Sequence, residues 1–80
     1  MNFRIQESPT SGKIFRLFVT EFQGKVYLTV HLNEDIIIPR QEISDSPFDF
    51  SLPQNSKGKK LTVSFEDEVE NKVKSWTIES

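Results

Sequence analysis

Apolar and polar residues alternate with a period of two along most of this chain, and no segment sustains the 3.6-residue repeat of an amphipathic helix. Phe3 and Ile5 alternate with polar neighbours and predict a short first strand over residues 2–7. Ser8-Pro9-Thr10-Ser11-Gly12 then has the composition of a loop. The clearest signal lies between Ile14 and Leu32, where two strand-like runs flank Gln23-Gly24. Gly24 can adopt the positive φ of a tight turn, so these runs are expected to form a hairpin closed by a two-residue loop. In that register Val19 faces Leu28, Leu17 faces Val30 and Phe15 faces Leu32. One continuous apolar face results, made of Phe15, Leu17, Val19, Val26, Leu28, Val30 and Leu32, and it reads as core. The other face carries Arg16, Phe18, Thr20, Phe22, Tyr27, Thr29 and His31, with Thr20 opposite Tyr27, Phe18 opposite Thr29 and Arg16 opposite His31.

Asn33-Glu34-Asp35 predicts a turn, followed by a short strand at Ile36-Ile37-Ile38 that Pro39 stops. Proline lacks the donor that a central ladder requires, so this strand is expected at a sheet edge. Such an edge can accept a partner's strand, and the proline can equally discourage it. Arg40 to Ser46 is polar enough for one helical turn. Phe48, Phe50 and Leu52 alternate with Asp49 and Ser51 between Pro47 and Pro53, which predicts a half-buried strand. The last third predicts a second hairpin. A turn at Glu70-Asn71 would set Phe65 opposite Trp76, Val63 opposite Ile78 and Asp67 opposite Lys74, with Thr62, Ser64, Glu66, Ser75, Thr77 and Glu79 on a wet outer face. About seven strands separated by frequent turn signals predict an all-β, antiparallel β-sandwich; a small OB-type barrel is the alternative architecture.

Composition narrows this picture. The 80 residues suffice for a single domain, residues 1–80, which buries roughly 60–65% of the surface of its unfolded chain. Cysteine is absent, so neither disulfides nor thiolate metal sites supplement the core. Twelve acidic and ten basic residues leave a net charge of -2, which disfavours nucleic acid as a partner. The most apolar run, Ile36–Ile38, is far too short to cross a membrane, and the N-terminus has no signal-peptide apolar region. A complete chain of this kind is expected in the cytoplasm, and a module excised from a longer protein at the cell surface or outside it.

Pro47-Phe48-Asp49-Phe50-Ser51-Leu52-Pro53, then Lys57-Gly58-Lys59-Lys60-Leu61-Thr62-Val63-Ser64-Phe65-Glu66-Asp67, then Asn71, resembles bacterial immunoglobulin-like repeats. Such repeats carry a Phe-x-Phe-x-Leu-Pro strand, a glycine-bearing loop, an alternating strand that ends in Asp, and Gly-Asn before the last strand. Here Glu70 stands where the glycine would be. The resemblance covers about the last 35 residues. It implies an immunoglobulin-like fold with an adhesion, spacer or binding role, and it carries over no functional residue.

Catalytic chemistry finds little to work with. His31 is the sole histidine, and no serine or threonine sits in a nucleophile-elbow context. Gly12, Gly24 and Gly58 are isolated, so no phosphate-cradling loop is present. Glu66, Asp67, Glu68, Glu70 and Asn71 gather oxygen ligands of the kind Ca²⁺ takes, but without calcium-loop spacing, and alternation sends Glu66 and Asp67 to opposite faces. The chain is therefore expected to be no enzyme and to hold neither metal nor cofactor. The informative surface is the mixed face of the first hairpin. Phe18, Phe22 and Tyr27, flanked by Arg16 and His31, can form a protein contact, stack on the bases of single-stranded nucleic acid, or stack on sugar rings. They can also be plain core beneath a covering segment. The expected role is a binding or structural module that contacts a protein partner through a sheet face.

Overall fold

A computed structural model describes residues 1–5, 14–43 and 48–78, with Phe15 described by its backbone alone. Seven strands occupy the alternating stretches: β1 (Asn2–Ile5), β2 (Ile14–Thr20), β3 (Val26–Leu32), β4 (Asp35–Ile43), β5 (Phe48–Ser51), β6 (Lys60–Glu66) and β7 (Asn71–Thr77). They form two antiparallel sheets, one of three strands in the order β1-β2-β5 and one of four in the order β4-β3-β6-β7. Neither sheet closes on itself, and the described residues include no helix, so the architecture is a sandwich and not a barrel. The expected first strand is described as far as Ile5; the loop expected at residues 8–12 lies outside the described residues.

The inward positions are those the alternation assigns. Phe3, Leu17 and Val19 from the first sheet meet Val26, Leu28, Val30, Leu32, Ile43, Leu61, Val63 and Phe65 from the second, with Leu52 and Ile78 closing the core. The rings of Phe3 and Phe65 bridge the two layers at 4.7 Å between centroids.

The pairing of β2 with β3 is where the structure overturns the expectation. These strands do not form a hairpin: β2 lies between β1 and β5, and β3 lies between β4 and β6. Residues 21–25 carry the chain from one sheet to the other. Val19 and Leu28 do share the core, but from opposing layers. Alternation reports which face of a strand is buried, and that face is equally well buried beside a neighbour or beneath an opposing sheet.

Strand β4 is longer than expected. It runs through Pro39 to Ile43, so residues 40–43 are strand and not a helical turn; residues 44–46 lie outside the described part. Its register against β3 shifts twice, between Leu28 and Val30 and between Val30 and His31. The first shift sets Pro39 and Arg40 against Thr29 alone, and the second leaves Ile37 as an extra residue. These bulges accommodate both the proline and the run of three isoleucines, which plain alternation cannot place: Ile36 points outward at 60% exposure, while Ile37 and Ile38 pack on the core. The edge position expected for this strand is the one it holds.

The second hairpin forms, in a different register. Leu61 pairs with Trp76, Val63 with Lys74 and Phe65 with Lys72, so each partner on β7 moves four positions from the expected one. The turn spans Asp67–Glu70, closed by the Asp67 N–H on the Glu70 carbonyl at 3.0 Å. The cause is the Asp67 side chain, which accepts the N–H groups of Val69 and Glu70 at 2.8 Å each and so ends β6 at Glu66. A shift by an even number preserves the faces, so Thr62, Ser64, Ser75 and Thr77 point outward as expected.

Every edge carries a device against strand addition. Edge β4 has Pro39 and two bulges. Edge β5 is four residues long and is followed by Leu52-Pro53. On β7 the core-side positions opposite Phe65 and Val63 are Lys72 and Lys74. The Lys74 ammonium crosses to the other layer, donates to the Phe3 carbonyl at 3.0 Å and lies 4.9 Å from the Phe3 ring centroid, which occupies edge β1 as well. Replacing both lysines (Lys72→Val with Lys74→Val) is expected to raise concentration-dependent self-association above that of the native chain in sedimentation velocity. For the core, Leu28→Ala is expected to cost about 2–5 kcal/mol in urea denaturation. That is a large share of the roughly 4–12 kcal/mol typical of a domain this size.

Candidate interaction faces

Each outward face inherits its residues from one sheet, so the aromatic set expected on a single surface is divided. Phe18 and Arg16 point outward from β2 on the three-stranded sheet; Tyr27 and His31 point outward from β3 on the four-stranded sheet, across the core; Phe22 lies in the crossover at one end. The expectation that Phe18, Phe22 and Tyr27 are cross-strand neighbours is therefore overturned, because it depended on the β2–β3 hairpin. Phe18 and Tyr27 are half-buried, and Phe22 is 37% exposed.

On the three-stranded sheet, Arg16 faces Asp49 across β2–β5 and binds it through two parallel bonds, Nε to Oδ1 at 2.7 Å and Nη2 to Oδ2 at 3.1 Å. Arg16 holds the Asp49 carboxyl below the usual carboxylate range. The pair is exposed to solvent, so its gain in stability is small. One step along the sheet Arg4 faces Phe18, with its guanidinium carbon 4.4 Å from the ring centroid.

The four-stranded sheet presents its outward residues in rows. Across β4, β3, β6 and β7, the first row is Glu42, Tyr27, Glu66 and Asn71. The next is Thr29, Ser64 and Val73, with Arg40 beside Thr29 at the bulge, followed by Ile36, His31, Thr62 and Ser75. Arg40 covers Tyr27 at 4.0 Å from its centroid and donates Nε and Nη2 to Glu66 Oε1 at 3.0 and 2.8 Å. Lys25 pairs with Glu42 at 3.9 Å. Charge thus gathers in pairs at one margin. His31 lies between Ile36 and Thr62, and Thr62 is hydrogen-bonded to Ser75 at 3.2 Å. Neither Arg4 nor Arg40 was singled out in the sequence; the signal for Arg4 is its alternation with the inward-facing Phe3, and Arg40 has none, because the bulge that aims it breaks the alternation.

At the crossover end, Asp67 is the organising group. Besides the two N–H groups of its own turn, its Oδ2 accepts the Gln23 N–H at 2.9 Å, and the Glu68 N–H is donated to the Gln23 carbonyl at 3.3 Å. Gly24 takes φ 68°, and a Cβ there would run into the Glu68 carboxyl. Glu21 also has a positive φ of 59°, and its carboxylate accepts the Asn2 amide at 2.9 Å. At the oxygen-rich tip the Asp67 carboxylate is thus engaged in holding backbone and that of Glu66 in pairing with Arg40, and among the described residues no group of three or more His, Asp or Glu converges as a metal site. No helix of the described residues is long and apolar enough to cross a membrane. No family model, curated protein or solved structure matches the chain.

The backbone N–H groups of Gln23, Val69 and Glu70 hold the Asp67 carboxyl below the usual carboxylate range, the Gln23 bond contributing most. A depressed folded-state pKa gives stability that is fully present above the unfolded value of about 3.9 and is lost as pH falls through the folded value. Asp67→Asn is therefore expected to lower the urea midpoint at pH 7 by more than Asp49→Asn does, and to flatten the native chain's loss of stability below about pH 4.

Proposed function

We propose that this chain is a non-catalytic, immunoglobulin-like sandwich module that contacts a protein partner through the outward face of its four-stranded sheet. The observation that carries this reading is the distribution of charge on that face. Charged residues make up 28% of the chain, yet Thr29, Ser64, Val73, Ile36, His31, Thr62 and Ser75 form a contiguous patch without a carboxylate, lysine or arginine among them. Depletion of charge at the centre with ion pairs at the rim is the anatomy of a protein contact, and Arg40, Glu66, Lys25 and Glu42 supply that rim. Val73 at 55% exposure and Ile36 at 60% supply apolar area, and Tyr27 adds an aromatic at the margin.

Strand order supports the immunoglobulin-like class. In the constant-type sandwich the first, second, fifth and fourth strands oppose the third, sixth and seventh. Here β1, β2 and β5 oppose β3, β6 and β7, and β4 has moved from beside β5 to beside β3. The patch therefore lies on the sheet that the moved strand widens to four.

A photo-crosslinking amino acid at position 73, in cells of the source organism, is expected to trap a discrete protein adduct. That adduct should disappear when Thr62→Glu is added, whereas any adduct of the same probe at position 51, on the other sheet, should be unaffected by that substitution. No adduct at position 73, or one that survives Thr62→Glu, would sink the reading. The melting temperature of the Thr62→Glu chain should match the native one, since Thr62 faces outward.

A further inference from the structure

We infer that the three-stranded sheet carries a second recognition site, at Arg4 and Phe18, for a glutamate or aspartate side chain of a protein partner. The site lies on the opposite face from the surface assigned above and rests on separate observations.

Register sets Arg4 beside Phe18 and Asn2 beside Thr20, and these residues with Phe3 line a hollow of about 90 Å³. That volume is about three times the share of one water in the liquid, enough to admit a carboxylate group. The guanidinium carbon lies over the Phe18 ring, 4.4 Å from its centroid. A guanidinium carries five N–H donors in a rigid fork, and among the described residues no carboxylate takes those of Arg4, which leaves the fork for a planar two-oxygen acceptor. Among the described residues the other arginines have carboxylate partners, Arg16 with Asp49 and Arg40 with Glu66, whereas Arg4 has none. A cation that meets no carboxylate among the described residues, over an aromatic floor, is complementary to an acidic side chain. The Asn2 amide donates one N–H to Glu21, leaving its second, and Thr20 adds a hydroxyl at the rim.

The Glu21 carboxylate beside Asn2 decides between anions. It repels a doubly charged phosphate more than a singly charged carboxylate, and the net charge of -2 acts in the same direction. The occupant is thus an acidic side chain on a protein segment, with apolar neighbours to meet Phe18.

The test is a titration of ¹⁵N-labelled chain with a short capped peptide, Gly-Leu-Glu-Leu-Gly, followed by its Gln counterpart and by inorganic phosphate. The Glu peptide is expected to give saturable shifts of the Arg4 side-chain Nε–H and of the Asn2 and Thr20 amides. The Gln peptide, and the Glu peptide against Arg4→Gln, should bind roughly tenfold more weakly or worse, the effect of losing one charge-assisted pair. Arg4→Lys, which keeps charge and loses the planar fork, should fall between. No response to the Glu peptide, or an equal response to the Gln peptide, would overturn the site, and both comparisons use the native chain, so neither depends on a variant folding. A stronger response to phosphate than to the Glu peptide would overturn the choice of carboxylate. Neither outcome touches the crosslinking result at position 73.

Discussion

The Asp67 carboxylate is the constraint on which the layout of this sandwich depends. It accepts three backbone N–H groups, two from its own turn and one from Gln23 in the segment that leaves the other sheet. The first two bonds end β6 and fix where β7 begins. The third ties the crossover to the tip of that hairpin, so the arrangement of the two layers at this end is set by one buried acid. A carboxylate suits this task because it only accepts, through two oxygens with room for several donors. Without it, three backbone N–H groups would lose their common acceptor, and with it the tie between the crossover and the hairpin tip.

How far the sequence could be read follows from this. Period-two alternation identifies the inward face of β1, β2, β3 and β6, where Phe3, Leu17, Val19, Val26, Leu28, Val30, Leu32, Leu61, Val63 and Phe65 are buried as it says; the bulges of β4 break it. Alternation is silent about neighbours. The β2–β3 hairpin looked natural because Gln23-Gly24 can turn tightly, but Gln23 has its N–H and carbonyl engaged by Asp67 and Glu68, a contact with residues more than forty positions away. The β6–β7 register was missed for a related reason: Asp67 reads as one more alternating position until its side chain is seen to turn back on the following amides. The aromatic residues proposed for binding were legible as outward-facing, and their grouping was not, since grouping depends on which strands pair.

Arginine shapes what remains of the surface. Arg4 lies on Phe18 and Arg40 on Tyr27, so each outward aromatic of the strands has a guanidinium over it. The two cases differ in what the guanidinium edge meets. Arg40 is engaged by Glu66 and closes the margin of a neutral face; Arg4 meets no carboxylate among the described residues and leaves a charged one. The same cation–ring contact thus yields surfaces of opposite character, and the difference comes from the neighbours, Glu66 opposite Tyr27 against the uncharged Asn2–Thr20 pair next to Arg4 and Phe18.

Strand β4 takes nine residues to run alongside the seven of β3. The two surplus residues sit at the Pro39–Arg40 bulge and at Ile37, so the outer edge of β4 does not repeat at the spacing of an ordinary strand. An evenly spaced segment from another molecule that matched the edge near Ile36 would be out of step beyond Ile38, and out of step again beyond Arg40. Full-length pairing would demand a strand with irregularities at the same two places. The edge is in effect written in an uneven metre, which few other chains can follow.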